Sequence, residues 1–218
     1  MFYNLHTHKS SGRTDVTELI NRYPTESAPH GFYSIGIHPW YINQENVDEE
    51  LRIVEQAMLD PNCLAVGECG LDKRIETPMP FQEEVFMKQL QIAERHQKPV
   101  VLHCVAAYQE AIEIRNRLNM TVPMIIHGFS KNKQTAEQLL KSGFYLSFGK
   151  YLLRNPDLKD AFISVPDDRL FLETDTIEEP IDEVYERAAS YKNISVEEMS
   201  EIVGTNFSRV FNLNNRNV

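Results

Sequence analysis

Seven histidines in 218 residues are few enough for their positions to carry information. His6 and His8 follow an apolar run at 2–5, His103 follows one at 100–102 and His127 one at 124–126, while Glu68 stands just past 64–66 and Asp175 just past 170–172. Imidazole and carboxylate are the side chains that bind divalent metal ions and exchange protons near neutral pH. A single histidine at the end of an apolar run is more often packed or solvated than a ligand. His6-x-His8 is stronger, because alternate residues of a strand point to the same side and can share one ion. Four imidazoles and two carboxylates exceed the four donors of one tetrahedral ion, so the set implies two divalent ions about 3.5–4 Å apart with a carboxylate between them. Such a pair makes hydroxide available near neutral pH and neutralises charge developing on a phosphoryl or carbonyl oxygen, which ester, amide and phosphodiester hydrolysis all require. Imidazole-rich donors suit Zn, Mn, Fe or Ni better than Mg; the choice among these five stays open.

Only a parallel sheet would bring these donors to one face. The runs at 2–5, 32–37, 64–66, 100–102, 124–126, 144–148 and 170–172 are rich in β-branched and aromatic residues, as strands buried on both faces are. Segments with helical spacing alternate with them at 48–60, 80–97, 106–118, 132–142 and 181–192, and a Ser-x-x-Glu capping signal opens a last helix over 195–212. The expected fold is therefore α/β, a distorted TIM-like (β/α) barrel forming a single domain over 1–218, with its active site at the C-terminal ends of the strands. Seven runs are one short of eight. The stretch 16–21 (VTELIN) supplies the eighth, so that the first βα unit is reduced and the segment 9–31 has lost its helix. The alternative is a two-turn helix over 16–22 and a seven-stranded barrel.

Against 22 Lys and Arg stand 32 Asp and Glu, and a net charge of −10 excludes a protein that coats nucleic acid or membrane through broad positive surface. The 42% hydrophobic and 25% charged residues are those of an ordinary globular chain. Three cysteines, Cys63, Cys69 and Cys104, cannot all pair within one chain, and their spacing suggests no secreted disulfide framework. With no leader pattern at the start and no apolar run near the roughly 18 residues of a membrane span, the expectation is a soluble protein of a reducing cytoplasm, without a membrane partner.

The motifs Asn4-Leu-His6-Thr-His8, Gly36-Ile-His38-Pro39, Gly67-Glu68-Cys-Gly70-Leu71-Asp72, Pro99-Val-Val-Leu-His103, His127-Gly-Phe-Ser130 and Leu172-Glu173-Thr174-Asp175 occur in this order, and the series resembles the TatD-like metal-dependent deoxyribonucleases, a branch of the metallo-hydrolase barrels. The resemblance implies that His6 and His8 hold one ion, that His103 and His127 hold the other, and that Glu68 bridges them. It makes Asp175 a ligand of the first ion and the base that deprotonates the attacking water, so that Asp175 and Glu68 are the catalytic carboxylates. It also implies DNA or another phosphodiester as substrate, cut by a metal-activated hydroxide. Hydrolysis of a small ester or amide, such as an aminoacyl-tRNA ester, is the nearest alternative, and a non-catalytic metal-binding scaffold a more distant one.

The sequence also departs from that pattern. The family commonly begins Asp-x-His-x-His where this chain has Asn4, carries an arginine at the place of Val105 and an aromatic at that of Lys73, and follows its aspartate with a small residue and proline where Thr176-Ile177 stand here. His38 is either a substrate contact or a support, and Glu173 is expected to face away from the site. Lys73, Lys131 and Lys150 are candidate phosphate contacts in a basic rim that also includes Lys9, Arg13, Arg74, Lys133 and Arg154. The plainer alternative is that several of these pair with neighbouring acids. Trp40, Tyr41 and Tyr151 offer stacking faces, although aromatics near barrel loops are more often packing. Cys69 and Cys104 are expected to point into the barrel wall.

Overall fold

The computed structural model describes residues 1–213. Eight strands form one sheet in the order β1 to β8: Phe2–Thr7, Val16–Arg22, Tyr33–Ile35, Cys63–Asp72, Val100–Val105, Met124–Ile126, Tyr145–Phe148 and Leu170–Leu172. The β2·β3, β3·β4, β4·β5 and β7·β8 ladders are parallel. At the ends of the series, Thr7 and Asp175 form a parallel bridge that joins the exit of β1 to the chain leaving β8, which closes the sheet into the expected barrel. By their contacts the residues fall into two compact units, Met1–Leu19 with Ile126–Val218, and Ile20–Ile125.

The second unit holds β3, β4, β5, the end of β2 and most of β6, with helices α1 (Val47–Ala57), α2 (Met79–His96) and α3 (Tyr108–Arg117). The stretch at 16–22 is a strand, as its Val-Thr start favours, and both Leu19 and Ile20 are buried. No helix lies between β1 and β2, and none between β2 and β3, so the economy expected in 9–31 extends over two connections. Helix α1 buries Val47, Leu51 and Val54 at helical spacing and carries Asp48, Glu49 and Glu50 in its first turn, where carboxylates complement the helix dipole.

Strands β4 and β5 run further than their apolar cores, so Glu68 and His103 lie inside strands and do not follow them as expected. The ladder continues through Cys69↔Leu102, Gly70↔His103 and Asp72↔Val105 because two glycines let the backbones close. A Cβ on Gly67 (φ +145°) would stand 2.4 Å from the Val101 carbonyl oxygen, and one on Gly70 (φ +144°) 2.0 Å from that of His103. Two buried glutamines of α2 complete the backbone pairing beside them. Gln82 accepts from Asp72 N (2.8 Å) and donates to Asp72 O (3.0 Å), and Gln89 does the same for Ile37 (2.7 and 3.1 Å).

In the first unit, helices α4 (Lys133–Lys141), α5 (Lys150–Arg154), α6 (Lys159–Ser164), α7 (Ile181–Lys192) and α8 (Val196–Val210) accompany β1, β7 and β8. The capping box expected at Ser195 is present, Ser195 Oγ accepting from Glu198 N (3.1 Å) and Glu198 Oε2 from Ser195 N (2.8 Å). Helix α8 packs close to β1 at Gly204, where a Cβ would stand 2.6 Å from the Tyr3 ring. Among the described residues no helix is long and apolar enough to cross a membrane.

Candidate metal centre

In the first unit, β1 carries Asn4 and His6 on alternate positions, so both face one side, and His8 follows just past the end of the strand. Asn4, 2% exposed, donates Nδ2 to Thr174 Oγ1 (2.8 Å) and accepts from Thr174 N (3.0 Å). The residue that departs from the family pattern thus fastens the peptide just before Asp175. Asp175 N donates to His6 O (2.9 Å) and His8 N donates to Asp175 O (3.2 Å), which seats Asp175 between the two histidines in a left-handed conformation (φ +55°). Its Oδ1 lies 3.5 Å from His8 Nε2 and 3.8 Å from His6 Nε2.

His127 joins the same group, its ring centroid 4.4 Å from that of His6. Glu173, expected to face away, instead approaches His127: Oε1 lies 3.3 Å from Nδ1 and accepts from Gly128 N (2.7 Å). The strand ends at Leu172, and residues 173 and 175, two apart, turn to the same cluster. Burial works to raise the Glu173 carboxyl, but the charge and hydrogen bond of His127, together with His6 and Ser147, outweigh it and hold it below the usual carboxylate range. A carboxylate on Nδ1 keeps the proton there and leaves Nε2 as the donor atom for a metal.

In the second unit Glu68 is the hub. Asn21 Oδ1 accepts from its backbone N (2.8 Å), and its Oε1 lies 3.0 Å from His103 Nδ1 and 3.2 Å from His38 Nε2. His38 Nδ1 accepts from Trp40 N (3.1 Å), so the neutral ring carries its proton on Nε2 and donates it to Glu68. His103 Nε2 lies 3.3 Å from Asp72 Oδ2, which also accepts from Trp40 Nε1 (2.8 Å). Burial works to raise Asp72, yet the bonds from Trp40, Arg74 N and His103 prevail and hold it low. Asp72, missed as a functional residue, shares strand parity with Glu68, four positions earlier; that parity was the available signal. Gln82 and Gln89 gave none, because a glutamine paired with backbone leaves no mark on hydrophobic periodicity.

These donors fit divalent ions. Two ligands each about 2.05 Å from a tetrahedral ion stand ~3.3 Å apart, and the Asp175 separations of 3.5 and 3.8 Å lie close to that edge. One ligand atom each from His38, Glu68 and His103 all fall within 4.8 Å of one another. The basic residues show a different pattern. Lys73 pairs with Glu110 (2.5 Å), Arg13 with Asp15 (2.6 Å) and Asp182, Arg154 with Glu179 (2.7 Å) and Lys133 with Glu137 (3.8 Å), as the plainer reading of the rim anticipated. Lys131 is half-buried, and Lys150 Nζ lies 5.9 Å from the Tyr151 ring. All three cysteines are free and buried.

Residues 3–212 match the family described as TatD related DNase. The uncharacterized metal-dependent hydrolase YcfH of Escherichia coli K12 is 33% identical over 199 residues, covering 83% of this chain and 74% of that protein. The 3'-5' ssDNA/RNA exonuclease TatD of a Rahnella species is 36% identical over 145 residues, 64% of this chain and 55% of that one. Among solved structures, the TatD homolog YjjV of Escherichia coli K12 superposes with a TM-score of 0.82 at 21% identity, over 97% of this chain and 98% of that chain, and shares the barrel. Taken with the histidine and carboxylate clusters, the match over nearly the whole sequence establishes that this chain belongs to the TatD family of metal-dependent hydrolases.

Proposed function

We propose that this chain is a deoxyribonuclease that hydrolyses phosphodiester bonds with two divalent ions, held by His6, His8, Glu68, His103, His127 and Asp175 within one catalytic domain. The observation that carries the reading is the convergence of two imidazoles on the Asp175 carboxylate (3.5 and 3.8 Å). The exonuclease named among its relatives favours nucleic acid as the substrate. Bound ions supply Lewis acidity, lowering the pKa of coordinated water and offsetting charge on the phosphoryl oxygens.

The chain's own residues do the rest. Asp175, seated by the His6 and His8 peptides, takes the proton of the attacking water in this reading. Glu68, held by Asn21, His38 and His103, keeps a fixed orientation as the second catalytic carboxylate. Glu173 fixes the His127 ring. Lys73, Lys131 and Lys150 are the proposed phosphate contacts. Lys73 is released from Glu110 at little cost, since an exposed ion pair contributes at most about 1 kcal/mol.

The test is a substrate panel of end-labelled single-stranded DNA, an aminoacyl ester and a cyclic amide, each with Mn2+ or Zn2+. DNA cleavage is expected to lead. Asp175→Asn is expected to lower it by ~10²–10⁴-fold with unchanged circular dichroism. An unchanged rate in that variant, or a protein that takes up no divalent ion on titration, would overturn the proposal.

A further inference from the structure

Beside His38 the second unit contains a cavity of about 310 Å³. Its walls include Tyr23, His38 and Tyr41, with the Tyr23 and Tyr41 rings edge to face at 5.2 Å and His38 5.6 Å from Tyr41. Trp40 stands across His38, its ring centroid 5.0 Å away, and is locked by its Nε1 bond to Asp72. Trp40 and Tyr41 are nonetheless 56% and 57% exposed. Large aromatics so exposed contribute little to a core, and here a hydrogen bond and ring contacts fix their orientation. One wall residue is charged: Glu50, from the first turn of α1. Burial raises its carboxyl above the usual range, a sign that water is partly excluded around it.

The geometry points to a nucleobase subsite in this cavity, in which Tyr41 stacks on a single base, Tyr23 bounds it edge-on and Glu50 accepts hydrogen bonds from its edge, guanine being preferred. The inference rests on the nucleic-acid reading above and adds a specificity to it. The volume lies at the small end of ligand cavities and admits one base. Stacking on tyrosine serves any base, since every base has a π-face. A carboxylate discriminates: it only accepts, and guanine offers it two adjacent N–H donors where adenine, cytosine and thymine offer fewer. His38 couples the cavity to the chemistry, because the ring that forms part of its wall also donates to Glu68 (3.2 Å). A base seated there places its own phosphate next to the Glu68 cluster.

Trp40 is the only tryptophan of the chain, so its emission reports on this place alone. Metal-loaded protein would be titrated with each of the four deoxynucleoside monophosphates and with deoxyribose 5-phosphate. Saturable change is expected with the nucleotides, tightest for dGMP, and a much weaker response with the sugar phosphate. Tyr41→Ala, at an exposed position that leaves the fold intact, is expected to weaken dGMP about tenfold, within the range of a lost stacking contact. Glu50→Gln is expected to bring dGMP to about the affinity of dAMP. No saturable change, an equal response to deoxyribose 5-phosphate, or unaltered dGMP affinity in Tyr41→Ala would overturn the subsite, and a retained guanine preference in Glu50→Gln would overturn the role of that carboxylate. DNA cleavage without any nucleotide response defeats the subsite alone, whereas nucleotide binding without cleavage of any nucleic acid supports the subsite and defeats only the nuclease reading.

Discussion

The two histidine clusters use the same side chains at different spacings. In the first unit the carboxylate of Asp175 stands 3.5 and 3.8 Å from its imidazole nitrogens, beyond hydrogen-bond length, whereas in the second Glu68 stands 3.0 and 3.2 Å from His103 and His38, within it. The difference follows from what holds each carboxylate. Asp175 is fixed through its backbone, by the His6 and His8 peptides and by Asn4 on Thr174, so its side chain is positioned without spending its own acceptors on the histidines. Glu68 is fixed partly through its side chain, and a metal entering there must displace hydrogen bonds already formed. Backbone seating prepares a cation site; side-chain seating prepares an oriented carboxylate.

The largest effect that would test this contrast concerns the backbones. Gly70→Ala drives a Cβ into the His103 carbonyl and is expected to cost at least about 4 kcal/mol, leaving little folded protein on expression. Gly128→Ala in the first unit, where the nearest atom is Glu173 Oε1 at 3.7 Å, is expected to cost about 1–2 kcal/mol for its positive φ alone. Denaturant unfolding measures both, and equal costs would break the comparison. Metal uptake sharpens it next. Titration of metal-free protein with Zn2+ against a chelator is expected to show a tighter equivalent that survives in His103→Ala and is lost in Asp175→Asn; the reverse pattern would assign the prepared site to the second unit. Glu173→Gln is expected to lower metal affinity 10–100-fold, the usual cost of removing the partner that orients a ligating histidine, while the melting temperature of the metal-free protein changes little.

The smallest effect concerns acid. Asp182 in the first unit is held low chiefly by the hydrogen bond from Arg13; for Glu94 in the second, burial works upward but bonds from the Thr121 hydroxyl, Thr121 N and Val122 N outweigh it. Each folded pKa lies below the unfolded one, so each carboxylate adds stability that is complete above the unfolded value, about 4, and is lost as pH falls through the folded value. At molar salt, where charges are screened within about 3 Å, the contribution of Asp182 should fade, and that of Glu94, whose partners are neutral, should persist. Melting curves of Asp182→Asn and Glu94→Gln against pH, at low and high salt, separate the two.

Much of this was legible in the sequence, for identifiable reasons. Short apolar runs rich in β-branched and aromatic residues marked the strands, helical spacing marked the longer helices, and a count one short of eight pointed to 16–21 for the strand that stands where a helix is missing. The six proposed ligand positions stood out because each stands at or near the end of an apolar run. Helices α5 and α6, five and six residues long, are too short to show a period. The extension of β4 and β5 through Glu68 and His103 was hidden because polar residues inside a strand end have the same composition as a loop; only the paired glycines Gly67 and Gly70 hinted that two backbones meet there. The approach of Glu173 to His127 depended on how the chain leaves β8.

The paired glutamines of α2 bear on how such a chain can change its length. Gln82 and Gln89 each hold one peptide at an exit from the sheet, those of Asp72 and Ile37, directly before Lys73 and His38. Inserting or deleting one residue between them rotates one amide about 100° around the helix relative to the other, so that at least one exit loses its partner. In this chain the stretch of α2 between Gln82 and Gln89 is thus bound to a fixed length by the two peptides it serves.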